Sequence, residues 1–140
     1  MSFDVECGSL RLADGLHLHR ALRRDDLVHD GRYWEPWLHY RDQAVGYRWR
    51  WQPTRRREAL VAIVVFWPDG GALREWHLAP AQLSDGAQAR PDGPRTRALR
   101  DWFLSRHGAA LPCKRAWGEI DATHDPRNLS SAILCSYSPS

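Results

Sequence analysis

Residues 59–67, ALVAIVVFW, form the longest unbroken apolar run in the chain, and they constrain its fold more than any other segment. The run is rich in β-branched residues, follows the basic stretch Arg55-Arg56-Arg57, and ends at Pro68-Asp69-Gly70-Gly71. Its nine residues are about half of the ~20 needed to cross a bilayer. They suit a central strand covered on both faces. Just upstream, Val45, Tyr47, Trp49 and Trp51 alternate with Gly46, Arg48 and Arg50. That period of two predicts a strand over 44–52 with one buried aromatic face and arginines on the other. Beyond the Pro-Asp-Gly-Gly turn, residues 72–79 extend the pattern as a third antiparallel strand.

The flanking segments complete an antiparallel plan. Residues 3–12 and 16–19 are short alternating runs around Asp14-Gly15, a strong hairpin signal because both central positions of a type I′ turn need positive φ. Residues 20–30 suit a short helix. Residues 80–94, rich in Pro, Gly, Asp, Ser and Gln, read as an exposed loop. Residues 95–107 make the best helix, with Ala98, Leu99, Trp102 and Phe103 as its apolar stripe and Gly108 as its stop. Strands over 115–122 and 132–137 close the chain. The whole reads as an α+β fold. It has an antiparallel, meander-like sheet of about five to seven strands, one main C-terminal helix and a short N-terminal helix. At 140 residues, positions 1–140 suit a single domain.

Composition narrows the function. Twenty basic residues face seventeen acidic ones, and Lys114 is the sole lysine. The net charge of +3 is mild for a dedicated nucleic-acid binder. Eight tryptophans and an arginine excess lean towards protein recognition, although a GC-rich genome also favours arginine. The acidic, unbroken-apolar-free start MSFDVECGSL does not resemble a secretory signal, and Cys7, Cys113 and Cys135 are widely spaced with no CxxC pair. Both features predict a cytoplasmic protein with reduced thiols and no membrane partner.

No segment dictates a catalytic chemistry. His17 and His19 share a strand face roughly 6.5 Å apart, and Cys7 is the nearest further ligand, but a zinc site needs four tightly placed groups. The pair reads better as part of an exposed sheet face, so no metal and no cofactor are assigned. Cys7 and Cys135 fall in predicted strands, Cys113 precedes one, and all three suit small buried positions. Asp25 and Asp26 diverge on a helix, while Glu119 and Asp121 lack an apolar pocket to separate their pKa values. GxGxxG, P-loop and HExxH motifs are absent from the sequence. The expectation is a protein that is not an enzyme.

Interaction signals are stronger. Five arginines and two tryptophans, with no acid, lie between Tyr47 and Arg57, just after Tyr33, Trp34 and Trp37. Tyr33, Trp34, Trp37, Arg48, Arg50, Arg55, Arg56 and Arg57 are therefore the candidate partner-binding residues. Such a stripe can meet an acidic protein through bidentate contacts or single-stranded nucleic acid through phosphate contact and stacking. It also suits a solvated edge strand whose charges discourage pairing. No catalytic residue is proposed.

The C-terminal quarter carries a resemblance. Trp102-Phe103-Leu104, Gly108, and then WGEIDATHDPRNLSSAILCSY over 117–137 resemble small bacterial immunity proteins of interbacterial toxin systems. The resemblance implies a non-catalytic cytosolic protein that binds and occludes a cognate toxin. The alternative is a small single-stranded nucleic-acid or RNA-binding module using the Arg/Trp strand face. Asp125-Pro126-Arg127-Asn128 reads as a turn. Trp117 and Ile120 fall on opposite faces of a regular strand, so burying both requires a bulge at Gly118 or cover on both faces.

Overall fold

A computed structural model describes residues 2–12, 15–51, 60–68, 71–80, 94–125 and 130–139. The apolar run becomes β6 (Leu60–Phe66), the third strand of a seven-stranded antiparallel sheet among these residues. The sheet order is β4 (Glu35–Tyr40), β5 (Gln43–Trp51), β6, β7 (Leu73–Pro80), β10 (Ser130–Tyr137), β9 (Gly118–Asp125) and β8 (Cys113–Arg115). The first four strands form a meander. The chain then crosses over through a helix, and its last strand, β10, pairs with β7. A separate three-stranded sheet holds β1 (Ser2–Asp4), β2 (Ser9–Arg11) and β3 (His17–Leu18). The antiparallel α+β expectation holds, with this second small sheet as an addition.

One face of the large sheet builds the core. Leu60, Ala62 and Val64 of β6 register beside Pro80, Leu78 and Trp76 of β7, and Ile133 and Cys135 of β10 continue the row. All of these are buried. Leu99 and Phe103 of the main helix, α2 (Pro94–His107), are fully buried in the same cluster, as are Leu10 and Leu18 of the small sheet. Each such large side chain contributes roughly 1.5–3 kcal/mol through removal from water. The Trp76 indole N–H donates to Tyr137 Oη at 3.0 Å, and that hydroxyl donates to the Gly8 carbonyl at 2.6 Å. Trp117 Nε1–H likewise donates to the Val5 carbonyl at 2.8 Å. Both bonds tie the β1–β2 turn to the large sheet and satisfy groups that would be costly to bury unpaired.

Four expectations need correction. The run over 3–12 is two strands, because the Asp4 carboxylate accepts from Glu6 N–H and the Asp4 carbonyl from Gly8 N–H, folding 5–8 into a turn. Cys7 therefore lies in that turn, exposed, and not in a strand. The strand over 115–122 is also two, β8 and β9, broken by a turn at 116–117. Gly118 makes this possible: its φ is +147°, and a Cβ there would sit 1.9 Å from the Ser136 carbonyl oxygen. That conformation lets Trp117 and Ile120 both be buried. Finally, β6 is fully covered on one face; on the other, Val65 is buried but Val61 and Ile63 are only half-buried.

The helices fall where the sequence places them. Within α1 (Arg24–Val28), the Asp26 side chain accepts from Arg23 N–H at 2.9 Å while Asp26 N–H donates to the Arg23 carbonyl, steadying the start of a very short helix. α2 ends where Gly108, at φ +75°, donates to the Leu104 carbonyl. The predicted loop over 80–94 lies outside the described residues between 81 and 93, as do Asp14 and the turn residues Pro126, Arg127 and Asn128.

Candidate functional site

The β4–β5 hairpin forms the edge of the large sheet, and among the described residues β4 pairs only with β5. Of the five large apolar side chains exposed in the described structure, four belong to this arm and the residues before it. They are Tyr33 (77% exposed), Trp37 (41%), Leu38 (45%) and Tyr40 (48%). Such clustering is what distinguishes an interaction surface from scattered apolar exposure. Pro36 and two register shifts, between Pro36/Leu38 and Leu38/His39, break the regular edge. The edge is thereby poor at accepting another strand.

The first shift explains the clustering. Pro36 pairs with Tyr47 and Leu38 with Gly46, leaving Trp37 as the extra residue of a bulge. A bulge rotates the following residue by one step, so Trp37 and Leu38, adjacent in sequence, face the same side. Trp37 lies over Arg48, whose guanidinium carbon is 3.7 Å from the ring centroid. Leu38 lies over Gly46, where an added Cβ would come within 2.9 Å of Leu38 Cβ. Arg48 in turn donates from Nη2 (2.8 Å) and Nε (3.3 Å) to Oε2 of Glu35, its cross-strand partner. At the hairpin tip Arg41 (φ 49°) and Asp42 (φ 66°) both adopt the left-handed conformation of a type I′ turn. Arg41 folds back over the Tyr40 ring at 5.3 Å.

Trp34 is placed differently from Trp37. It is 8% exposed, its ring 5.9 Å from Trp49 and its indole N–H donating to Asp30 Oδ2 at 2.9 Å. Asp30 also pairs with Arg32, which lies 5.3 Å above the Trp49 ring. Trp34 thus supports the arm from beneath. An open cleft of about 300 Å³ between α1 and β5, lined by Leu27, Tyr33, Trp34 and Tyr47 together with Arg24 and Arg32, adjoins it. Arg50 is exposed and, among the described residues, has no ion-pair partner. Arg55, Arg56 and Arg57 lie outside the described residues. The structure therefore puts Trp37, Arg48 and Arg50 on one face of this edge, Tyr33 beside Tyr47 at the cleft, and Trp34 inside the molecule. Glu35, Leu38 and Tyr40 were not singled out by sequence, since β4 has no period-two alternation once a bulge interrupts it.

Several titratable groups outside the arm are engaged structurally. Cys7 Sγ lies 3.1 Å from Ser9 Oγ, and burial pushes the Cys135 thiol up to about 12, far from a reactive thiolate. Asp121 accepts from Arg100 at 2.9 Å and from its neighbour Ala122 N–H at 2.8 Å. The His77 hydrogen bond holds the Glu75 carboxyl below its ordinary range. The His17 and His19 rings lie 4.6 Å apart; partial burial, then the charges of His19 and Arg11, lower the His17 pKa. Among the described residues no group of three or more His, Cys, Asp or Glu could hold a metal ion. Within the same residues, no helix is long and apolar enough to cross a membrane.

An antiparallel scaffold with an exposed aromatic arm has the form of a binding protein. The comparisons specify which kind: over residues 1–140 the chain belongs to the RhsI1 immunity protein family. Its fold also matches the solved structure of Rhs1-CT in complex with cognate immunity protein RhsI1, with a TM-score of 0.85. The two share 34% identity, over 98% of this chain and 86% of the matched one. Among curated proteins, no sequence matches this chain. The resemblance read from residues 102–137 thus extends to the whole chain, and membership in an immunity family agrees with the expectation of an inhibitor rather than an enzyme.

Proposed function

We propose that this chain neutralises a cognate Rhs-type toxin by stoichiometric binding in the cytoplasm of a toxin-producing bacterium, as one domain over residues 1–140. The contact runs through the β4–β5 arm and the segment before it: Tyr33, Trp37, Leu38 and Tyr40, with Arg50 at the rim. Bound there, the chain masks the toxin's working surface. The observation that carries the choice of surface is the concentration of exposed aromatic and aliphatic side chains on one blunted sheet edge. Support for the toxin as partner comes from family membership and from the matched complex, in which RhsI1 is bound to Rhs1-CT. The three free cysteines suit a reducing compartment.

The nucleic-acid alternative fares less well on this surface. Arg48, which would have met phosphate, is paired to Glu35 and covered by Trp37, leaving Arg50 as the unpaired cation of β5 among the described residues. The test is calorimetry with the purified C-terminal domain of an Rhs-type toxin, Rhs1-CT being the one seen with the matched immunity protein. A 1:1 complex, lost on the combined change Tyr33→Ala, Trp37→Ala and Tyr40→Ala, is the expected result. Full affinity in that triple variant rules the arm out. Tight, salt-sensitive binding to a single-stranded oligonucleotide in place of the toxin favours the alternative.

A further inference from the structure

Resting on the toxin-binding reading above, we propose that Trp37 is the anchor of the interface. Glu35 and Arg48 are positioning residues that hold it, already ordered, for an apolar recess on the toxin. An exposed tryptophan ordinarily loses side-chain freedom when a partner captures it, which costs binding free energy. Here that freedom is largely removed beforehand. The bulge at Trp37 turns its ring onto Arg48, and the guanidinium lies 3.7 Å from the ring centroid, a stacked cation–π contact. Arg48 cannot swing away easily, because two of its N–H groups are held by one Glu35 oxygen and strand pairing fixes both backbones. The result is a clamp: carboxylate, guanidinium plate, indole.

The same geometry sets the partner's chemistry. The Arg48 charge is matched by Glu35 and its side chain is only 16% exposed, so the clamp presents the indole outward and not the cation. Beside it, Leu38 is exposed, and Arg48 and Arg50 register against Ile63 and Val61, two half-buried aliphatic side chains on the same face. The apolar character thus continues from the arm onto the sheet. Such a surface fits an apolar recess ringed by polar groups, the usual setting of a tryptophan hot spot. An acidic patch seeking free arginines finds only Arg50 on this strand among the described residues.

The experiment compares affinity and dissociation rate for the toxin domain with wild type, Trp37→Ala, Glu35→Gln, Arg48→Met, Arg48→Lys and Arg50→Ala. Thermal unfolding of each variant confirms that it is folded. Trp37→Ala is expected to weaken binding about 30-fold or more. Glu35→Gln and Arg48→Met leave the indole in place yet release it, and are expected to cost about 3- to 10-fold, mostly in dissociation. Arg48→Lys behaves like them, because an ammonium keeps the charge but not the plate. Arg50→Ala changes affinity less than about 3-fold and acts on association. Fluorine NMR of the fluorotryptophan-labelled free chain supplies a readout that merely lowered stability does not move. The Trp37 signal, assigned through Trp37→Phe, shifts and broadens in Glu35→Gln while the others stay. If Glu35→Gln and Arg48→Met bind as wild type does, the clamp is overturned. If Trp37→Ala does so, the anchor is elsewhere. If wild type itself fails to bind, the toxin-binding reading fails first.

Discussion

Trp76 and Trp37 occupy the same large sheet and illustrate two uses of one residue. Trp76 lies at the centre, fully buried, its N–H passed through Tyr137 to the Gly8 carbonyl, and its ring in edge contact with Phe3. Trp37 lies at the edge on a bulge, pinned from one side by an arginine and open on the other. The central indole is held by burial, which stabilises the fold. The edge indole is held by a charge pair that contributes little to stability, because one partner is substantially exposed. On the proposed reading, position in the sheet and not residue type divides stability from recognition.

The sharpest way to break this division is to truncate both. Trp76→Ala should lower unfolding free energy by about 3–5 kcal/mol in denaturant titration, with toxin affinity of the remaining folded protein unchanged. Trp37→Ala should change stability by less than about 0.5 kcal/mol while weakening binding strongly. Comparable stability losses in the two variants contradict the comparison.

His107 probes the central region by pH. It is buried against Phe103 and Trp102, and neither ring nitrogen has a hydrogen-bond partner among the described residues. Burial, with Arg106 adding to it, lowers its pKa from 6.5 to about 4. The unfolded chain therefore binds this proton more tightly than the folded one. Stability is fully present above pH 6.5 and falls as pH drops towards about 4, by roughly 3 kcal/mol. His107→Phe should flatten that part of the pH–stability profile, and an unchanged slope between pH 6.5 and 4 would show that other groups set it.

Tyr137→Phe removes the hydroxyl that joins Trp76 to Gly8, leaving a buried donor and acceptor unpaired, for a loss of about 1–3 kcal/mol by chemical unfolding. Toxin affinity should not move. The smallest effect belongs to the arm's tip: Asp42→Gly relieves a left-handed L-residue and should raise stability by about 1 kcal/mol. A destabilised Asp42→Gly chain would mean that the Asp42 side chain itself holds the hairpin.

Periodicity was informative wherever burial was one-sided and regular. Trp49 lies in the core as the alternation over 44–52 requires, and Leu99 and Phe103 form the buried centre of the helical stripe. The candidate surface was legible in part. Tyr33, Trp37 and Arg50 emerge exposed, but Arg48, expected as a contact, is covered, and Trp34 is buried. Neither fact is readable from residue types: a bulge brings Trp37 over Arg48 without a Gly or Pro at Trp37 itself, and Trp34 is buried by its contacts with Trp49 and Asp30. The type I′ turn at Arg41-Asp42 was equally silent, lacking the Asn-Gly that usually marks one.

By itself, then, the sequence determined the antiparallel plan, the central strand, the main helix and the immunity-type C-terminal pattern. The first three depend on local period, turn chemistry and short-range spacing, all properties of contiguous residues, and the last is a resemblance carried by residues 102–137. Tertiary structure alone decided that β10 returns to pair with β7, that Tyr137 meets Trp76 and Gly8 across the core, and that Arg48, held by Glu35, covers Trp37. The first two join residues far apart in the chain, the last joins neighbouring strands of one hairpin, and the geometry of all three is set by strand register. A single-residue slip in pairing moves every side chain to the other face, and only the assembled sheet fixes which register is occupied.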